Sequence, residues 1–395
     1  MSLFNSASSG LGSKPVLFFC ALVGYRYTGV HNSSIYVIYS IAVAVSMGVI
    51  FLCQITKRGI VKPALYIMLF FGLIAISYGW TTCFGSTSRI QNLFIYCILW
   101  GLPGAMSGVF FSTTKNRTTI LTRLCSLLTL GGFAYVLANA IYYSVQGWGP
   151  NAASGDTYQS ISYHAAFVFG LCLFFLTSDD KVRANNFGFC CKQPFALLSI
   201  IIMICCFFVV LMSGGRGGMF LLISYTVALF CTGKHKSRFV VICAMIVLLI
   251  ILIYPYMSSD LIQRGFNRIF WFMGNSELNS SVEARQYYLS QALALIGNRP
   301  ILGYGLFGYL NYMNNYPHNI LLEVMLQGGL LYLVFATVIL AILAKNYHVH
   351  RRVNPESKII GVLFLFPIVE LLFSGTYMST PLFWFGISYI LCVKN

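Results

Sequence analysis

His318 is the residue in this chain best suited to move a proton. It stands between Pro317 and Asn319, near the end of the stretch RPILGYGLFGYLNYMNNYPHNILLEVMLQGG (residues 299–329), which runs from a polar segment into an apolar helix. An imidazole titrates near neutrality and can accept a proton from a hydroxyl as a general base, although a lone histidine near an interface can equally be a satisfied polar residue. Glu323 lies four residues after Asn319, so the two share a helical face. Orienting a neighbouring arginine or histidine is the role this spacing suggests for the carboxylate.

Arg216 is the second candidate. It sits in Ser213-Gly214-Gly215-Arg216-Gly217-Gly218, between apolar runs too close together for an ordinary loop. Gly214, Gly215 and Gly217 would let backbone N–H groups approach a ligand, and the next helix would turn its positive end to the same spot, an anion site. The competing reading is a turn arginine snorkelling toward lipid headgroups. Arg285 belongs to Glu283–Ile296 (EARQYYLSQALALI), compatible with an amphipathic helix lying on a membrane surface, where it either faces a cavity or caps the polar side toward water. His164 follows Tyr163 just inside an apolar run and either lines an outer cavity or packs between helices.

The elements that must position these groups are membrane helices. Of 395 residues 58% are hydrophobic and only 9% charged, with a mean hydropathy of +0.78, whereas soluble domains carry about 25% charged residues. A span needs about 20 apolar residues, and that length gives about twelve candidates. They cover residues 15–31, 35–54, 63–84, 91–111, 119–145, 160–177, 194–213, 217–233, 239–256, 318–344, 359–375 and 379–392. The organisation expected is therefore nine spans in 1–256, a large partly helical outer loop in 257–317, and three spans in 318–395. The first apolar run is interrupted by Tyr25, Arg26 and Tyr27 and has no cleavage site, so it reads as a retained span.

Lysine and arginine bias sets orientation. With both termini cytoplasmic, every lysine falls in a cytoplasmic loop or terminus, and the basic residues left for the outer face are Arg26, Arg89, Arg216, Arg264, Arg268, Arg285 and Arg299. The net charge of +16 is then mostly topology and implies no nucleic-acid partner. The outer face has kept only the planar guanidinium, the cation suited to bidentate grip of phosphate or carboxylate. Two outer loops exceed a turn: Gln146–Gln159, and the long one after Met257. In the latter, Asn275–Ser281 (NSELNSS) reads as a hinge.

Several other signals carry less. The 13 cysteines fall mostly in apolar runs or in a basic loop, which suits apolar fillers better than disulfides. Gly303-Tyr304-Gly305-Leu306-Phe307-Gly308 matches G-x-G-x-x-G without the strand–helix–strand unit that a dinucleotide site requires. His348 and His350 have no acidic or cysteine partners nearby in sequence, and no D-x-D occurs, so neither a metal nor another cofactor is expected.

Taken together, the SGGRGG turn, the E-A-R helix in a large outer loop, the N-R-P-I-L-G-Y-G segment and P-H-N-I-L-L-E at the head of the next span resemble the O-antigen ligase and O-antigen polymerase superfamily. The motifs cover roughly residues 200–340. This resemblance implies an all-α, C-type (GT-C-like) membrane glycosyltransferase that works without metal or nucleotide sugar. It implies a glycan donor on undecaprenyl diphosphate at the outer face of the bacterial inner membrane. By the same resemblance Arg216 and Arg285 match the diphosphate-binding arginines and His318 the histidine that activates the acceptor hydroxyl. The remaining outer-face groups, Arg264, Arg268, Arg299, Tyr304, Asn319, Glu323 and His164, are assigned to substrate binding. The SGGRGG and PHNILLE forms favour a polymerase, whose acceptor is another lipid-linked repeat unit and whose partner could be a chain-length regulator. A ligase would use lipid A-core as acceptor. A lipid-linked oligosaccharide transporter is the alternative from another class, favoured by Glu370 inside a span and opposed by the lack of an evident repeat.

Overall fold

The computed structural model describes residues 10–24, 33–58, 62–83, 85–114, 116–146, 157–178, 192–232, 236–237, 239–240, 243–244, 247, 276–354 and 356–393. Among them every regular element is helical and no strand occurs. In chain order these are α1 (Gly10–Phe19), α2 (Ser33–Arg58), α3 (Lys62–Thr82), α4 (Ser88–Tyr96), α5 (Leu102–Thr113), α6 (Arg117–Gln146) and α7 (Tyr158–Thr177). There follow α8 (Lys192–Ser213), α9 (Arg216–Thr232), α10 (Ser276–Asn298), α11 (Ile320–Val353), α12 (Glu356–Phe373) and α13 (Pro381–Cys392). A π turn at Cys97–Gly101 joins α4 to α5.

Five helical stretches among the described residues are long and apolar enough to cross a membrane: Ser34–Lys57, Ser88–Thr113, Arg117–Tyr143, Tyr158–Thr177 and Ile320–Arg351. Shorter apolar helices include Leu197–Ser213, Arg216–Thr232 and Pro381–Cys392. Most of the expected span at 239–256, residues 147–156 of the first outer loop, and both Arg264 and Arg268 lie outside the described residues. The hinge expected at Asn275–Ser281 is helical from Ser276 onward, as the first turns of α10. Short polar residues read as loop in sequence, yet they also favour helix starts.

The chain divides into two compact units. One comprises Met1–Phe19, Gly24–Asn32 and Thr118–Gly274. Its centre is α7, buried at every position from Ile161 to Thr177 and packed against α8 and α9. A helix apolar all round belongs inside a bundle, and this one has no lipid-facing stripe. Gly170 lets the ring of Tyr225 lie against α7, since a Cβ there would come within 2.5 Å of it.

The other unit comprises Cys20–Val23, Ser33–Arg117 and Asn275–Asn395. Its closest helix pair is α5 with α13. Gly101, Gly104 and Gly108 face Met378, Pro381 and the Phe385–Tyr389 turn, and a Cβ at Gly104 would stand 2.8 Å from Pro381 Cα. Small residues allow such backbone approach between membrane helices, where dispersion packing supplies much of the attraction. Arg117 pairs with the buried carboxylate of Glu356 at the start of α12 and also donates to Asn354 Oδ1 at 3.2 Å.

α11 is broken. Gly329 has φ 61° and ψ −154°, so a 34-residue helix becomes two pieces. The second piece, Leu330–Val353, is about 36 Å long at 1.5 Å per residue and alone suffices for a hydrocarbon core of about 30 Å. The expected span at 318–344 therefore shifts: Ile320–Gly328 need not enter lipid. Residues 300–305 stitch the break on both sides. Tyr304 and Gly305 N–H groups donate to the Leu326 and Gln327 carbonyls at 2.8 Å each, closing the first piece. The Leu330 and Leu331 N–H groups donate to the Pro300 and Ile301 carbonyls at 2.7 and 3.3 Å, opening the second. Two carbonyls of the first piece and two N–H groups of the second are thereby paired within the protein.

This stitching also explains the G-x-G-x-x-G run. Gly303 and Gly305 have φ of 59° and 78°. A Cβ on Gly303 would lie 2.7 Å from the Gln327 backbone, and one on Gly305 would lie 2.5 Å from Thr81 Oγ1. The glycines serve backbone-to-backbone contact inside the protein.

Candidate functional site

α10 is organised by its buried face. Tyr288, Leu295 and Ile296, with fully buried Ala292, pack on Tyr304, Tyr309 and Met313 of the following loop and on Leu322 and Leu326 of α11. That spacing of three and four residues continues backward to Arg285, one turn before Tyr288. The arginine is thus carried on the face that meets the loop, and it is half-buried.

His318 lies where that face ends. Its ring centroid is 6.2 Å from Tyr288 and 4.5 Å from Tyr316, and Arg285 is near enough for its charge to act on the imidazole. Burial first, and the Arg285 guanidinium second, pull the imidazole down from 6.5 to about 4. It is therefore uncharged at neutral pH and able to accept a proton. Because the unfolded chain would take up that proton first, this residue costs the native state stability as pH falls from 6.5 toward about 4. His318 also has φ 54°, one of two non-glycine residues with a positive φ among those described. Histidine tolerates this region better than most side chains, but holding it there still costs about 1–3 kcal/mol.

The anchors around His318 hold that conformation. Asn319 caps α11: its Oδ1 accepts from the Leu321 and Leu322 N–H groups at 2.9 and 3.3 Å, so the amide expected to bind substrate serves the helix start. Asn319→Ala should lower stability by about 1 kcal/mol while Asn319→Ser largely retains it, read as thermal unfolding in detergent.

Glu323 does not orient an arginine or a histidine through any hydrogen bond seen here. Only 2% exposed, its Oε1 accepts from Thr376 Oγ1 at 2.5 Å and from Tyr309 and Gln327 at 3.3 Å each. Tyr377 in turn donates to Gln327 Oε1 at 2.7 Å. A carboxylate is acceptor-only, and here it is met by donors from three segments. It ties the first turns of α11 to the loop and to the α12–α13 connection, which indirectly fixes the backbone carrying His318. Sequence reasoning missed Thr376 and Tyr377, and no local pattern marks them.

The other arginines of this unit that the sequence assigns to the outer face make contacts of their own. Arg299 lies fourteen residues after Arg285, about 21 Å along the helix axis, with its guanidinium 5.0 Å from the Tyr304 ring centre. Tyr304, largely buried, donates to the Leu295 carbonyl at 3.1 Å. Arg89 donates to the Asn314 carbonyl at 2.6 Å, Asn311 to the Gly85 carbonyl at 2.9 Å, and Thr81 to the Leu306 carbonyl at 2.8 Å. The corner between α3 and α4 thus braces the loop that leads to His318.

In the other unit, SGGRGG turns α8 into α9. Gly214 takes φ 65°, and Arg216, half-exposed, opens α9. The neighbouring glycines are occupied by α7: Ser162 donates to the Gly215 carbonyl at 3.2 Å, a Cβ at Gly215 would fall 2.5 Å from Ser162 Cβ, and Gly217 and Gly218 abut Tyr163 and Ser162. Helix–helix contact accounts for these glycines, leaving Arg216 and the start of α9 as the anion-suited elements. His164 is fully buried against Tyr135, with Nδ1 2.7 Å from the Ser160 carbonyl one turn back. That carbonyl accepts, so Nδ1 carries the proton, a bonding pattern of helix packing.

Among the described residues no group of three or more histidine, cysteine, aspartate or glutamate side chains could hold a metal. Residues 201–337, which contain Arg216, Arg285 and His318, match a family model described as O-antigen ligase, consistent with the O-antigen ligase/polymerase superfamily. The matched domain is of a family tied to lipopolysaccharide biosynthesis, and the five long apolar helices among the described residues have the length and composition of membrane spans. No curated protein matches the chain.

Proposed function

We propose that this protein is an O-antigen polymerase of the bacterial inner membrane that joins undecaprenyl-diphosphate-linked repeat units at the periplasmic face, with both termini in the cytoplasm. The observation that carries the reading is the half-buried imidazole of His318, beside the Tyr316 ring and near enough to Arg285 for its charge to act on it, inside the segment that matches the ligase family. His318 takes the proton of the acceptor hydroxyl as that oxygen attacks the anomeric carbon of the donor. The glycosidic bond to phosphate breaks on the opposite side, giving inversion, and undecaprenyl diphosphate leaves with the bonding pair. Arg285 stabilises the charge that grows on the leaving group. Arg216 enters as a second diphosphate ligand from the resemblance alone.

An imidazole held near 4 is a weak base in the empty site. A diphosphate against Arg285 would cancel the guanidinium field and add negative charge, raising the imidazole toward its ordinary value. Donor binding thereby strengthens the base. Arg285→Gln removes one of the two causes of the depression, so the acid limb of kcat/KM should shift toward pH 6.5 while kcat falls. A limb that stays in place would separate Arg285 from His318.

The test uses purified protein in nanodiscs with a synthetic undecaprenyl-diphosphate-linked repeat unit and chelator. A ladder of longer lipid-linked glycans, lost in His318→Asn and formed more slowly in Arg285→Gln, is the expected result. The family model's description as O-antigen ligase favours a second reading, in which product appears only when lipid A-core is supplied. No product with either acceptor would sink both.

A further inference from the structure

Two tyrosines meet the His318 ring from different elements. Tyr316, in the loop, has its ring 4.5 Å away and inclined at 54°; Tyr288, on α10, has its ring 6.2 Å away at 48°. Both are half-buried. Their hydroxyls are not among the buried polar atoms without a partner.

The backbone that carries Tyr316 and the helix face that carries Tyr288 are held before any ligand arrives. The Tyr316 N–H donates to Asn315 Oδ1 at 3.0 Å, and Arg89 fixes the adjoining Asn314 carbonyl. Tyr288 is packed against the Tyr304–Tyr309–Met313 cluster through the inner face of α10. Preorganised aromatic faces bind at low entropic cost.

The chemistry around the imidazole distinguishes what such faces would take. A pyranose presents axial C–H groups on one face, which pack on an aromatic ring, and hydroxyls at its rim, which bond to phenols and amides. The acceptor of the proposed reaction must bring one such rim hydroxyl to His318.

We propose that Tyr316 and Tyr288 form a saccharide platform that seats the acceptor's terminal sugar, with the reacting hydroxyl directed at His318. This rests on the reading of His318 as the acceptor-activating base. The competing occupant is the membrane interface, where tyrosines anchor helices at headgroup level.

The test takes the intact protein in nanodiscs and a reducing-end-capped oligosaccharide, prepared by depolymerising the host cell's own surface polysaccharide, as soluble acceptor. In Tyr316→Ala and Tyr288→Ala the acceptor KM should rise about tenfold or more, with donor KM unchanged and Tyr316→Phe close to native. Equal rises in both KM values, or no change in the acceptor's, would overturn the platform. Saturation-transfer NMR of the same oligosaccharide on His318→Asn needs no turnover. Signals from one face of the terminal sugar, lost on adding Tyr316→Ala, are expected; no binding to this folded variant overturns the proposal. If the native protein transfers nothing yet binds the sugar this way, the proposed reaction fails and the platform stands.

Discussion

His318→Asn should abolish glycan transfer, lowering the rate by about 10²–10⁴-fold, the range for loss of a positioned general base, while leaving the thermal unfolding temperature near that of the native protein. Asparagine is chosen because residue 318 has φ 54°, a left-handed conformation that asparagine adopts readily and alanine does not. His318→Ala should lose the same activity and some stability as well, since the strain at 318 would no longer fall on a tolerant side chain. The two variants thus separate chemistry from backbone. Measured side by side for initial rate and for unfolding in detergent, equal activity in His318→Asn and native protein would remove the histidine from the reaction.

Gly329→Ala should be the most damaging conservative change in the described part of the chain. Position 329 combines φ 61° with a Cβ that would lie 2.6 Å from the Pro300 carbonyl oxygen, and closer still to Ile301. With ψ −154° this backbone falls in a region that is essentially glycine-only, which costs alanine about 1–3 kcal/mol. The clash adds to this because the obstacle is backbone, which can yield only by opening the stitch between 300–305 and 326–331. Opening it would free Tyr304, Gly305, Leu330 and Leu331 from their carbonyl partners, at a cost of about 1–3 kcal/mol for each group left unsatisfied. Loss of folded protein in fluorescence-detected size exclusion is expected, or, if some folds, faster proteolysis within 299–319. A native-like Gly329→Ala protein would show that the break is not required. Gly297→Ala is the control, because a Cβ there meets nothing within 4 Å.

Both predictions turn on one short region, and its two halves were unequally legible. Pro317-His318-Asn319 ahead of an apolar run reads as a helix start, and Asn319 does cap α11. The period of the α10 sequence likewise places Arg285 and Tyr288 on one face, but nothing local marks Tyr288 as a neighbour of His318, whose ring it meets across the fold. Arg299 and Arg89 looked equivalent to Arg285 in sequence, each a lone guanidinium on the outer side. One lies over Tyr304 and the other holds a loop carbonyl. Residue type states what a side chain can grip; only its distance to a partner states what it does grip.

The sequence by itself determined the membrane-type composition, the helical build of the described residues and the positions of most of those helices, because these follow from local quantities: apolar length and three-to-four-residue spacing. It also determined which groups could do chemistry, since an imidazole and a guanidinium carry their reactivity wherever they are placed. The tertiary structure decided the break at Gly329, the use of Gly303 and Gly305 as a backbone clip, and the partners of Glu323, one of them Thr376, 53 positions away. These are contacts between segments distant in sequence, made by carbonyls, N–H groups and missing Cβ atoms that every chain possesses. Local composition cannot specify which of them meet, because that depends on how the helices pack.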